Sequence, residues 1–390
     1  MSAARLAALL VVLGVPACLP RPPAGTGGAS FLQISWDNYK ERYIHASGYV
    51  LDRTRGGGEV TSEGQSYALL RAAWLDDRTT FARVFAWTER TLARADGLYS
   101  WRWSPRNGSV LDANTATDAD QDVALALIVA GTRFGEPAYL DRAARIIRAT
   151  RTETGIPVAG GWFPSAGNWA VDERIVNLSY FAPYAYPYFA RLDPDGRWLE
   201  VVEIGYGLLE RTTAGGSARL PPDFMTVGPA GEIRELPESS TLSRRFSFDA
   251  ARIPWRVELD CRLHQRRQAC EATGGIPFLV DAMQGSRPHI VNAYDTDGAP
   301  RSQQESPSFY AALLPALARQ QPASAAMVRR QQLGDTALMR LARRSDRYYD
   351  ANWVWFGLAL AEGWIPSHTP APDRAEVPSL EPGARSLRGR

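Results

Sequence analysis

Lysine is almost absent from this chain. Of 44 basic residues, Lys40 alone is a lysine and the rest are arginine. A phosphate-cradling loop needs a lysine inside a Gly-rich frame, and Lys40 has no such frame. A Schiff-base lysine would also have to be Lys40, in an otherwise ordinary stretch. Histidine and cysteine are scarce, at 4 and 3 residues, so a four-cysteine zinc centre is impossible, and no His-Glu-x-x-His occurs. Charge of one sign is lacking too. The 44 basic residues face 42 acidic ones for a net +2, without the basic excess of a nucleic-acid binder. No mature segment is long and apolar enough to span a bilayer. What 390 residues hold in quantity is carboxylates and aromatic rings: 12 Trp, 15 Tyr and 13 Phe. That length buries one large core or two ordinary ones.

The first 18 residues read as a secretory signal peptide: Arg5, an apolar run over 6–15, then Pro16-Ala17-Cys18. Cys18 adds the option of a lipid anchor, against which Pro16 is a poor fit to the small residues expected there. Residues 19–30 are a Pro- and Gly-rich flexible linker, 31–365 the folded body, and 366–390 a polar tail expected to be disordered. The expected location is therefore secreted or periplasmic. In an oxidising compartment Cys261 and Cys270, nine positions apart, can close a disulfide; the alternative is two free thiols.

The body reads as all-α. Apolar-periodic segments begin near Phe31, Glu63, Thr80, Asp118, Pro137, Asn177, Asp195, Asp249, Gly275, Pro307, Ala325 and Asp350. Segments such as 67–75, 123–130 and 353–360 are apolar on nearly every face and so are buried all round. They alternate with amphipathic ones such as 81–94 and 139–151. Phe81, Tyr139 and Trp198 hold similar places in three of the amphipathic segments. Buried and half-buried helices alternating at this spacing predict six helical hairpins closed into an (α/α)6 barrel, with an inner and an outer ring. The longest irregular stretch, about 213–245, is a candidate wall for a cleft.

Three carboxylate motifs sit at helix starts. In Thr61-Ser62-Glu63-Gly64-Gln65, Ser62 and Gln65 fit a capping box, Glu63 falls in the first turn, and Gly64 permits close approach. In Ala116-Thr117-Asp118-Ala119-Asp120-Gln121-Asp122, Thr117 is positioned to cap, and the acids are expected at the exposed mouth of an apolar helix. In Phe248-Asp249-Ala250-Ala251-Arg252, Arg252 lies one turn beyond Asp249. Each motif alone has a plainer reading: helix-dipole stabilisation, capping, or a surface ion pair worth under about 1 kcal/mol. Parallel inner helices would instead gather Glu63, Asp118 and Asp249 at one end of the barrel. Aromatic residues crowd the same loops: Tyr99, Trp101, Trp103, Trp162, Trp169, Tyr180 and Tyr184. Their plainer reading is core packing. For Trp101, Trp103 and Trp169 a ligand platform is preferred, because sugar rings stack on such faces. Two acids across a glycosidic bond are what hydrolysis needs.

These motifs, in this order, resemble glycoside hydrolase family 8, whose members are mostly bacterial endo-β-1,4-glucanases with an (α/α)6 barrel and an inverting mechanism. The similarity runs from about Trp36 to Trp364. The resemblance implies that Glu63 is the general acid, that Asp118 and Arg252 hold substrate or orient the base, and that Asp249 is the general base. Tyr180, in Asn177-Leu178-Ser179-Tyr180, would help place the attacking water. It implies a β-glucan as partner, no cofactor and no metal; the expected chain is a monomer that binds no nucleic acid. Ser66 and Phe248 depart from the family pattern, at positions where Gly and Tyr are usual. Two other readings remain: a non-catalytic polysaccharide-binding protein on the same scaffold, which the Phe248 departure keeps open, and an α/α-toroid polysaccharide lyase. Within the family, a xylanase or another β-glycanase is the alternative to a glucanase.

Overall fold

The computed structural model describes residues 30–54, 57–214, 220–272, Leu279, Ala282 and 288–365. The stretch read as a signal peptide, Cys18, nearly all of the stretch read as a linker, the helix start expected near Gly275 and the tail after Ile365 lie outside the described residues.

The helices are α1 (Phe31–Tyr43), α2 (Ser62–Trp74), α3 (Arg78–Leu92), α4 (Thr117–Phe134), α5 (Pro137–Thr154), α6 (Tyr186–Leu192), α7 (Trp198–Thr213), α8 (Ile253–His264), α9 (Arg267–Glu271), α10 (Pro307–Gln320), α11 (Pro322–Gln331), α12 (Asp335–Ala342) and α13 (Tyr348–Ala361). They form an (α/α)6 barrel. The inner helices are α2, α4, α6, α8, α10 and α13. Val123, Ala124, Leu125, Ala126 and Leu127 are successive buried residues of α4, so that helix has no solvent face over this stretch. The outer helices bury a single stripe, as Phe81, Val84, Thr88 and Leu92 do in α3. The first helix closes the ring by packing on the last: Trp355 Nε1 donates to the Leu32 carbonyl at 3.1 Å, and Tyr43 hydroxyl to that of Arg344 at 2.8 Å. Phe81 and Tyr139, the repeat positions of adjacent outer helices, meet with centroids 5.2 Å apart.

Chain punctuation decides where the cleft lies. Inner-to-outer turns are short. Between α4 and α5 the chain reverses through Gly135, whose φ of 71° suits glycine, and Pro137 restarts the helix without needing an N–H. Outer-to-inner connections are long, at 44–61, 93–116, 155–185 and the described 220–252, and they stack at the N-terminal ends of the inner helices. They carry three small antiparallel sheets that the all-α reading did not include. These are β1 (Val60–Thr61), β2 (Arg102–Ser104) and β3 (Ser109–Asp112); β4 (Gly155–Val158) with β5 (Gly161–Pro164); and β6 (Ile175–Val176), β7 (Met225–Val227) and β8 (Ile233–Arg234). The stretch read as irregular over 213–245 thus contributes two strands, with Ile175 paired to Thr226 and Thr226 to Arg234. Cys261 and Cys270 are bonded, tying α8 to α9 with Cα atoms 4.8 Å apart.

Candidate active site

Three inner-helix starts and one turn supply the site. Ahead of α2 the N-cap is Thr61, not Ser62. Its Oγ1 accepts the Gly64 N–H at 3.1 Å, which sets Glu63 in the first turn. The capping box read at Ser62 and Gln65 does not form, because strand β1 delivers the chain in extended conformation one residue earlier. Gln65 turns into the core instead, accepting the Val50 N–H at 2.6 Å and donating to Thr88 at 2.8 Å. Gly64 is needed for space: a Cβ there would sit 2.7 Å from the Tyr348 hydroxyl. Ser66, the first departure, bends its hydroxyl back onto the Glu63 carbonyl at 2.8 Å, so it does not crowd the cleft.

On α4 the N-cap is Ala116, and Thr117 is the first helical residue rather than the cap. The expectation that its acids lie at an exposed mouth is also corrected. Asp118, Asp120 and Asp122 are all buried. The helical period divides them. Asp118 and Asp122 share a face one turn apart, while Asp120 points away. Asp120 accepts the Tyr99 N–H at 3.1 Å, and burial holds its carboxyl well above the usual range. Asp122 makes a two-point pair with Arg256, at 3.2 and 3.1 Å, and accepts from Tyr184.

Asp249 precedes a short 3₁₀ turn (Ala250–Arg252) that runs into α8. Arg252 is not the surface partner that the motif alone suggested; it is 1% exposed. Its Nη1 donates to Glu63 Oε2 at 2.9 Å, Asp118 Oδ2 at 3.1 Å and the Tyr67 hydroxyl at 3.2 Å. Its Nη2 donates to Ser179 Oγ at 2.9 Å and to Asp249 Oδ1. Tyr180 covers the guanidinium with its ring, 5.3 Å away. One cation therefore joins the three carboxylates singled out in the sequence. Two hydrogen bonds and one guanidinium fork keep the Glu63 and Asp249 oxygens no more than about 8 Å apart.

Exposure sorts the three acids. Glu63 and Asp249 side chains are 27% and 30% exposed, whereas Asp118 is at 3%. Asp118 Oδ1 also accepts its neighbour's N–H, from Ala119 at 2.9 Å. Burial raises the Asp118 carboxyl above its ordinary value; Arg252 and Arg256 oppose, and Asp122 and Asp249 add to the rise. Burial likewise raises Asp249, with Arg252 opposing, Asp223 adding and the Asn177 side chain opposing. Three carboxyls and one guanidinium leave an excess of acid, the setting in which one carboxyl keeps its proton.

The aromatic residues divide. The Trp101 carbonyl accepts the Ser62 N–H at 3.0 Å, which places this half-buried residue's backbone beside the start of α2, and the Arg102 guanidinium lies over its ring at 5.6 Å. Trp169 is 39% exposed on a turn (Asn168–Ala170) tethered to Thr115 by hydrogen bonds of 2.8 and 3.0 Å. Trp103 instead packs edge-on against Trp87 at 5.1 Å and beside Tyr49 at 5.7 Å, so packing occupies much of its ring. Tyr99, Trp162 and Tyr184 are also structural: Tyr99 under Arg142, Trp162 on Trp198, Tyr184 on Asp122. Phe248, the second departure, is 40% exposed and meets Phe309 and Tyr349 edge-on. Beside it opens a cavity of about 510 Å³ lined in part by Asn292, Gln304, Arg347 and Tyr349.

Several neighbours of the site went unread in the sequence. Tyr67 lies one turn after Glu63, and Arg256 one turn after Arg252, so the spacing was a usable signal for both. Ser179 and Asn177 fall within the Asn177-Leu178-Ser179-Tyr180 motif, where nothing in the sequence separates them from their neighbours. Asp223, a lone acid after two prolines, carried no signal. Among the described residues, no group of three or more His, Cys, Asp or Glu is arranged to hold a metal ion.

The model of the family "Glycosyl hydrolases family 8" matches residues 9–285. The chain belongs to this family. It is a glycoside hydrolase. A relative named "Probable endoglucanase" from Novacetimonas hansenii is 36% identical over 226 residues, which is 56% of this chain and just under two thirds (64%) of that protein. The endoglucanase of Salmonella typhi is 29% identical over 85% of this chain and 86% of its own. Among solved structures, an endo-β-1,4-glucanase from Acetobacter xylinum superposes with a TM-score of 0.68 at 26% identity, covering 86% of this chain and 99% of that one. A cold-adapted family 8 xylanase shares the fold at 18% identity, with a TM-score of 0.69.

Proposed function

We propose that this family 8 chain is an exported, inverting endo-β-1,4-glucanase, with Glu63 as general acid and Asp249 as general base. The observation that carries the reading is the Arg252 guanidinium, which holds Glu63 and Asp249 from two different inner helices while leaving both carboxyls open to the cleft. The ceiling of about 8 Å between the two bonded oxygens overlaps the range of about 6.5–9.5 Å that admits a water between acid and base. Glu63 gives its proton to the glycosidic oxygen as that bond to the anomeric carbon breaks. Asp249 takes a proton from a water whose oxygen bonds the same carbon from the opposite face. Asp118 forms the floor, where a sugar hydroxyl meets it, and Tyr180 helps to place the water. Trp101 and Trp169 supply stacking faces for the glucan. The relatives' names support β-1,4-glucan as the polymer. The Cys261–Cys270 bond supports export, since such bonds persist in oxidising compartments.

Incubation with soluble cellulose derivatives, mixed-linkage β-glucan, xylan and chitosan tests the reading. Reducing ends are expected to appear fastest on a β-1,4-linked glucan, with a steep fall in viscosity from internal cleavage. Release from xylan alone would move the assignment to the family's xylanases, and binding without release would leave only a sugar-binding protein.

A further inference from the structure

Asp223 lies in the connection between α7 and the base, 26 positions before Asp249. It is 2% exposed. Its Oδ1 accepts two backbone N–H groups, from Ser247 at 3.0 Å and from Ala250 at 2.8 Å. Its Oδ2 accepts the Ser247 hydroxyl. These donors flank Asp249 on both sides. The Asp223 segment is itself fixed by backbone bonds, its N–H to the Arg245 carbonyl at 2.7 Å and the Phe224 N–H to that of Ser243 at 3.1 Å. The 3₁₀ turn that carries Asp249 has no side-chain cap of its own. A buried carboxylate accepting from both N–H groups supplies that cap from a distant loop.

We propose that Asp223 is the positioning residue of the base: it clamps the backbone on either side of Asp249 and, as a second carboxylate beside it, sets the pH at which Asp249 becomes available. This rests on the reading of Asp249 as base. The charged and titratable groups around Asp249 are Arg252 on its own turn, Glu63 from α2, Asp118 from α4, Tyr180 from the 178–180 turn and Tyr349 from α13. Asp223 adds a like charge from the loop, and burial raises its own carboxyl. Arg245, next to this segment, is turned away toward Asp295 at 3.5 Å. Among the described residues Arg252 is the cation hydrogen-bonded to Asp249, and it is already shared with Glu63 and Asp118. In that setting the state of Asp223 matters.

A negative Asp223 disfavours a second negative charge on Asp249 and moves the acidic limb of kcat/KM upward. Asp223→Asn keeps an oxygen for both N–H groups but removes the charge. The expected result is a near-normal plateau kcat with the acidic limb moved to lower pH by roughly 0.5–1 unit. Asp223→Ala removes the clamp; kcat is expected to fall on the order of 10–100-fold with KM little changed, as for a catalytic group misplaced by an ångström or less. A pH profile for Asp223→Asn that overlays the unaltered enzyme would overturn the proposal, as would full kcat in Asp223→Ala. A purely structural role would lower activity in both variants without moving the limb. Asp249→Asn is measured alongside. If it stays active, the base assignment fails; if it is inactive while Asp223→Asn shows no shift, the failure belongs to Asp223 alone.

Discussion

Glu63→Gln is expected to lower kcat on cellulosic substrates by about 10²–10⁴-fold, the usual worth of one positioned proton donor. Gln fills the same space and still accepts from Arg252 Nη1, so the hub should hold and the variant should fold. The loss should depend on the leaving group. On an aryl β-cellooligoside whose phenolate departs unaided, Glu63→Gln should recover much of its rate. Asp249→Asn should remain inactive, because the water must still lose a proton. Steady-state kinetics of both variants on both substrates separate the two roles. An equal loss in Glu63→Gln on aryl and glucan substrates would contradict its part as acid.

Arg252→Met is expected to be the most destabilising change at the site, about 3–5 kcal/mol near neutrality, because it strands the buried Asp118 carboxylate without its cation. The pH dependence has a definite sign. Asp118 and Asp249 are raised in the folded state even with Arg252 present, and without it they rise further. A group raised in the folded state contributes its stability below its unfolded pKa of about 4 and loses it as pH climbs through the folded value. The deficit of Arg252→Met should therefore be largest near neutrality and shrink toward acid pH, as read by denaturant unfolding at the two conditions. Arg252→Lys keeps a charge but not a fork that reaches Glu63, Asp118, Ser179 and Asp249 together. It should fold better than the Met variant and still lose most of its activity. A stability deficit independent of pH would contradict the account.

Much of this was legible in the sequence, for reasons that can be located. Glu63 and Asp118 open helices that are buried on nearly every face, Asp249 sits one short turn ahead of a third, and parallel inner helices bring such starts together; the order of the motifs then points to the family. The repeat of Phe81 and Tyr139 carried over to a direct ring contact. What was misread depended on the chain's path just outside a helix. Strand β1 moved the cap from Ser62 to Thr61, and Ala116 rather than Thr117 precedes α4. The small strands have two to four residues each, too short to show alternation. A register shift between Arg102 and Trp103 breaks even that pattern, so the sequence could not assign the two tryptophans to faces. The acids of α4 looked like a cluster at an open mouth. Their partners, Arg252, Arg256 and the Tyr99 N–H, come from elements 21 to 134 positions away. Asp223 is the extreme case, since its hydrogen bonds to the Ser247 and Ala250 N–H groups exist only once the loop has folded back beside Asp249.

The stereochemistry of the first product tests the central claim most directly. Proton NMR of fresh digests of a β-1,4-linked cello-oligosaccharide follows the anomeric signals before mutarotation mixes them. Glu63 as acid and Asp249 as base, acting through an intervening water, predict that the α-anomer appears first and the β-anomer only as the sugar equilibrates. Initial accumulation of the β-anomer would contradict that arrangement.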